Sequence, residues 1–323
     1  MKRAWPPVVL FCLAPLVAEF LLGDLPINLL FALVILAPLY GGGALLIREI
    51  VRRTGGGFPR IFALGLAYAI FEEAFTTQTL FNPNYLHLNL HLLEPAYCPS
   101  LGIGVWWTVH VLTLHTVWSI SVSVALAEAL FPERAATPWL GKTGLAVTAG
   151  LFLLGAAAST GMQLKQDPFR ASGRQLVSAA ILCMAVIAAA FRLPRWPAVK
   201  TAHSAAPSPW LAGGAALAAG SIFLLIPKQW AWATVALYAL LDVTMIVLVS
   251  RWSRAPNWGQ LQRLALAGGA ALAYAWHAFM QTPAVGNSGM TVRIGNAIFA
   301  AGLIAVLAIA ARRDRSFCVR TRL

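Results

Sequence analysis

Ten apolar runs, each near the ~20 residues that a helix needs to cross a bilayer, follow one another along the chain. They cover residues 5–22, 27–47, 61–81, 102–131, 140–162, 174–193, 210–226, 229–250, 259–281 and 291–311. Short polar, Pro- or Gly-bearing stretches separate them, and only Pro227 and Lys228 divide the seventh from the eighth. The pattern predicts an all-α fold, a polytopic transmembrane bundle of about ten spans. A Pro- and Ala-rich stretch over 191–209 splits it into a six-helix membrane part, 1–190, and a four-helix part, 210–311, followed by a basic tail, 312–323.

Composition agrees: 59% of residues are hydrophobic, 11% are charged, and the mean hydropathy is +0.73, more apolar than a water-soluble domain. The Lys and Arg residues set an orientation. With the N-terminus inside, nineteen of them fall on the inner side and five (Lys165, Arg170, Arg174, Lys228 and Arg293) on the outer. This asymmetry predicts both termini in the cytoplasm of what is read as a bacterial cytoplasmic membrane. It also accounts for the net charge of +13 through topology and anionic headgroups on the inner side. No basic surface interleaved with aromatics is present, so a nucleic-acid partner is not expected. The first 24 residues have the basic and apolar regions of a signal peptide but no small-residue cleavage site before Asp24, so the first helix is expected to be retained. Cys12, Cys98, Cys183 and Cys318 form no CxxC pair, and neither a disulfide framework nor a thiolate metal site follows.

Polar residues inside apolar runs carry the candidate chemistry. Glu72 and Glu73 sit in the third run within AIFEEAFTTQTLFNPNY, where one central charge costs roughly 2.5 to 3.5 kcal/mol. Two adjacent carboxylates in low dielectric resist double ionisation, so the pair is expected to hold a proton. Thr76, Thr77, Gln78, Thr79 and Asn82 continue a polar stripe towards the outer surface, as in a helix that lines a cavity rather than lipid.

The fourth run is antiparallel to the third and brings His110 and His115 to similar depth, ~13 to 20 Å from the outer surface at 1.5 Å per residue. His115, Ser119 and Ser123 share one face with Trp118 beside them, whereas His110 points about 140° away from His115. In the ninth run Tyr274, His277 and Gln281 line one face near the outer end. Asp242 and Glu19, each alone in its helix, are read as interhelical hydrogen-bonding groups.

Two loops add possibilities. REIVRRTGGGFPR reads as a headgroup-facing turn with a Glu49–Arg53 pair, because it lacks the Lys-Ser/Thr of a phosphate-binding loop. Glu128 and Glu133 are expected to pair with Arg134. In the outer loop, residues 85–92 alternate leucines with His87, Asn89 and His91, predicting a strand-like or re-entrant flap. Were it helical, His87 and His91 would share a face at a metal-binding spacing. A divalent metal is thus conceivable, but no complete ligand set is visible and the cofactor is left open.

FEEAFTTQ, His115 and HAFMQ at 277–281 resemble, over short stretches, the three motifs of the CPBP intramembrane proteases (the CAAX protease and bacteriocin-processing family), which run EExxxR, FxxxH and HxxxN or HxxxD. Glu72 and Glu73 match the first motif, with Thr77 at its arginine. His115 matches the second, with Val111 at its phenylalanine; Trp106 and His110 form an aromatic-xxx-His alternative. His277 matches the third, with Gln281 at its Asn or Asp. The resemblance implies a glutamate and a histidine that activate water to cleave a membrane peptide. Two rivals stand beside it: a proton- or cation-coupled transporter using Glu72, Glu73 and His115 as a relay, and a non-catalytic membrane scaffold.

Overall fold

The structure is a computed structural model that describes residues 5–193, 205–286 and 288–320. The centre of the expected linker, 194–204, therefore lies outside the described residues. Ten rods carry the fold. α1 is Trp5–Phe20, α2 is Ile27–Arg53, and α3 is Phe58–Phe71 continued by Glu72–Thr76. α4 is Val105–Leu130, α5 Lys142–Gln166 and α6 Gly173–Arg192. α7 is Pro209–Leu225, α8 Trp232–Trp252, α9 Gln260–His277 and α10 Met290–Arg320. Six of them (α2, α4, α5, α6, α8 and α10) are long and apolar enough to cross a membrane, and α1 and α7 are shorter apolar helices. The chain is a polytopic all-α membrane protein. α10 runs on to Arg320, well into the stretch read from sequence as a tail.

α4 is the axis. Its apolar positions Trp118, Val122 and Leu126 enter one core with Val17 of α1, Phe223 of α7, Tyr238 of α8, Tyr274 of α9 and Leu303 of α10, so the six- and four-helix parts pack on each other through it. The small residues of α7 and α9 allow backbone contact: a Cβ on Gly269 would stand 2.0 Å from the Gly213 carbonyl oxygen, the small-residue packing expected from GGAALAAG and LALAGGAALAYA.

A similar approach joins α1 to α2. Pro15 has no N–H to give the Phe11 carbonyl four residues earlier, and Gly41 fits against that carbonyl so closely that a Cβ would lie 1.9 Å from its oxygen. This contact brings Tyr40 beside Glu19, and the Tyr40 hydroxyl donates to Glu19 Oε1 at 2.5 Å.

At the inner end, charge is buried rather than turned to headgroups. Arg48 is fully buried, donates to Glu49 at 2.8 Å and to Glu128 at 3.1 Å, and stacks 3.6 Å from the Trp139 ring centre. Arg52 binds Glu128 through two nitrogens, and Glu49 pairs with Arg53 at 3.4 Å as its spacing suggested. Among the described residues Glu128 therefore pairs with arginines of α2, where the sequence suggested Arg134. Long-range packing decides this.

The outer flap is no strand. Tyr85–His87 forms one 3-10 turn, and Leu86, His87, Asn89 and His91 all have positive φ, which a ladder of pleated residues cannot contain. Leu90 and Leu92 nevertheless pack on the core. The described strand pair is Tyr97–Cys98 with Ile103–Gly104. Asp167, past the end of α5, pins the flap: Asn82 Nδ2 and the Leu86 N–H donate to its Oδ2 at 2.7 and 2.8 Å, and the Phe169 N–H to its Oδ1 at 2.9 Å. Burial alone would raise the Asp167 carboxyl, but these donors outweigh it and hold it below its ordinary value.

Candidate functional site

Four helices depart from the regular α-helical spacing in π-helical turns at Leu16–Phe20, Ala37–Gly41, Glu72–Thr76 and His115–Val122. These turns carry Glu19, Tyr40, Glu72 with Glu73, and His115 respectively. A π turn inserts an extra residue, rotates the side chains that follow, and often marks a functional site. Here the four turns meet around one polar cluster.

His115 stands between the two glutamates. Its Nε2 lies 2.9 Å from Glu73 Oε1, and its Nδ1 lies 3.0 Å from Ser119 Oγ and 3.5 Å from Glu72 Oε2. The roles of the glutamates differ. Glu73 Oε2 also accepts from the Thr77 hydroxyl at 3.2 Å and from the Thr79 hydroxyl, and the Trp107 indole N–H donates to Thr79 Oγ1 at 2.9 Å. Glu73 is therefore held from several directions. Glu72 Oε2, in contrast, is buried without a hydrogen-bond partner, as are Tyr68 Oη and Thr76 Oγ1 one turn to either side.

Glu72, Glu73 and His115 are 1%, 4% and 8% exposed, so the cluster is a closed interior site rather than the outward-opening pocket that the threonine stripe suggested. The Tyr40 and Tyr68 rings wall it, with centroids 5.7 and 6.4 Å from that of His115. Each of the three residues offers one ligand atom, all within 4.8 Å of one another, the one such group among the described residues. Two carboxylate oxygens and an imidazole nitrogen suit zinc or manganese, with water or substrate filling the remaining positions.

A family model described as an uncharacterized membrane protein family matches residues 8–316. The chain belongs to that family. No curated protein and no solved structure matches it. The matched residues include the polar cluster and all of the bundle except the first residues of α1 and the last of α10, and nothing in the comparison links them to the CPBP proteases.

Other candidates read from the sequence fall elsewhere. His110 turns to the opposite side of α4, stacked on Phe223 at 5.1 Å with Nδ1 3.2 Å from the Tyr238 hydroxyl. Trp118 stacks on Tyr274 at 4.5 Å and donates to the Ala270 carbonyl. His277 packs against Trp276, and Gln281 donates to Asp24. Gln78 accepts from the Ala171 N–H, while Asn82 serves the Asp167 clasp. His87 and His91 are exposed, with His91 2.7 Å from Glu94, and neither belongs to a metal-compatible group. Asp242 accepts from Thr113 at 3.0 Å, the interhelical role expected of it.

The sequence reading missed Tyr40 and Tyr68 and left Glu19 as a structural residue. Only Glu19 carried a signal, an acid in an apolar helix. The tyrosines resemble ordinary core aromatics until the helices are assembled.

Proposed function

We propose that this chain is an intramembrane hydrolase, peptidase-like, in which Glu72 activates water beside a His115 ring held by Glu73. The observation that carries this reading is the unequal bonding of the two carboxylates: Glu73 is occupied by His115, Thr77 and Thr79, whereas Glu72 Oε2 has no partner and lies 3.5 Å from His115 Nδ1. One acid orients the imidazole; the other is free to take a proton. The order of a glutamate pair followed by a histidine on the next helix supports it through the CPBP resemblance.

In the proposed reaction Glu72 removes a proton from water and the oxygen forms a bond to the peptide carbonyl carbon. The oxyanion is met by donors at the site, and the C–N bond breaks as Glu72 returns the proton to the leaving nitrogen. Thr77 stands where the CPBP motif has arginine. Tyr68, whose ring packs against His115 and whose buried hydroxyl has no partner, would supply a neutral donor in its place. A metal bound by Glu72, Glu73 and His115 would polarise the carbonyl or the water. The inner-side excess of basic residues supports a bacterial cytoplasmic membrane with both termini inside as part of this reading.

A specific observation favours a second reading, a proton relay. Tyr40 donates to Glu19, Glu19 lies close enough to Asp24 at the outer end to influence it, and so acids continue outward from the cluster. Purified protein in liposomes separates the two: the hydrolase reading expects membrane-peptide turnover lost in Glu72→Gln with no flux driven by a pH gradient. Flux lost in Glu72→Gln, without turnover, favours the relay.

A further inference from the structure

A second cavity lies outside the glutamate cluster. It is a lateral groove of about 530 Å³ between α3, α4, α7, α8 and α9, within the range of small-molecule sites. Its wall is apolar over most of its length, with Phe62, Val117, Ala216, Phe223 and Met245 among the lining residues, and its rim residue Ile246 is 48% exposed. Arg263, Ser250 and Ser253 line its inner end, and Thr113 and Asp242, hydrogen-bonded to each other at 3.0 Å, line it farther along with Ser121.

Along α8 and its C-cap the groove extends from Leu241 to Ser253, a rise of twelve residues, or about 18 Å at 1.5 Å per residue. That is about half of the ~30 Å hydrocarbon core, so the groove spans one leaflet. A transmembrane peptide would need twice the length. The inner end also matches a headgroup: Arg263 donates to Gln260 at 2.6 Å and makes no ion pair among the described residues, Glu128 and Asp314 acting on it only through space. It stands in the first turn of α9, an 18-residue helix whose N-terminal N–H groups add positive potential. Trp258, buried and lining the same end, is the kind of residue that sits at headgroup level.

We infer that this groove binds one anionic phospholipid of the inner leaflet, its phosphate at Arg263 and one acyl chain along α4 and α8 towards Phe223. A phosphate there receives a charge-assisted hydrogen bond from a guanidinium with no carboxylate partner among the described residues, and the acyl chain covers apolar wall that the described residues leave open. The site is independent of the proposed hydrolysis, because Glu72, Glu73 and His115 do not line it.

The test is native mass spectrometry of the full chain released from nanodiscs of equal phosphatidylglycerol and phosphatidylcholine. The expected result is one retained lipid per chain, phosphatidylglycerol favoured about fivefold, as one basic residue against an anionic headgroup supplies. Arg263→Gln removes the preference but not the retention. Ala216→Trp, or Met245→Trp if the first does not fold, removes the retention. Equal retention of both lipids by the wild type, an unchanged preference in Arg263→Gln, or a second copy of the chain covering the groove overturns the inference.

Discussion

Nε2 of His115 lies 2.9 Å from Oε1 of Glu73, joining two residues 42 positions apart on antiparallel α3 and α4. The contact fixes one face of the imidazole and leaves the neighbouring carboxylate of Glu72 outside the clasp. The two glutamates, adjacent in sequence, are thereby predicted to respond differently to substitution.

Glu73→Ala removes the partner of His115, Thr77 and Thr79 together, and is expected to destabilise the protein by about 3 to 5 kcal/mol, the usual loss on breaking a buried pair. Glu72→Gln removes one of two neighbouring carboxylates and is expected to leave the melting temperature in detergent unchanged or raised while abolishing activity. Melting curves of the two variants check the contrast.

Glu128→Ala leaves the guanidiniums of Arg48 and Arg52 without a shared carboxylate at the inner end. A loss on the order of 3 to 5 kcal/mol follows, whereas Glu133→Ala, on a surface turn, changes little. Unfolding titrations of both variants measure the difference.

Gly41→Ala drives a methyl into the Phe11 carbonyl, 1.9 Å from its oxygen. The α1–α2 contact must open, which separates Tyr40 from Glu19, and about 1 to 3 kcal/mol of stability is lost. A variant with an unshifted melting temperature would contradict this packing.

Two acids outside the spans give opposite pH responses. Burial, with the Glu19 carboxylate adding to it, pushes Asp24 from 3.8 up to about 7. Its folded value is the higher one, so its contribution is complete below about pH 4 and is lost as pH rises through about 7. Asp167 is held below its ordinary value, so its contribution is present above about pH 4 and is lost as pH falls further. Melting temperature against pH checks both: Asp24→Asn flattens the fall near neutrality, and Asp167→Asn flattens the fall in acid.

Much of this was legible in the chain. The apolar runs predicted the helices to within a few residues at most ends, because a bilayer leaves the backbone few alternatives to helices of spanning length. Depth counting placed Glu73 opposite His115, and the rotation between His110 and His115 indicated that His110 faces elsewhere, as it does against Phe223. The flap failed because the alternation at 85–92 reflects which leucines pack, not a ladder, and period two needs a pairing strand to become β structure. The π turns, the Tyr40–Glu19 bond and the Arg48–Glu128 pair arise from contacts between distant segments, and no local pattern encodes them.

The central claim is that Glu72 activates water against a membrane peptide. Its most direct measurement compares protein N-termini in membranes of cells that express the wild type or Glu72→Gln at equal levels. New N-termini within or beside transmembrane segments, present with the wild type and absent with Glu72→Gln, are the predicted result. Identical N-termini in the two membranes, with both proteins folded, would contradict it.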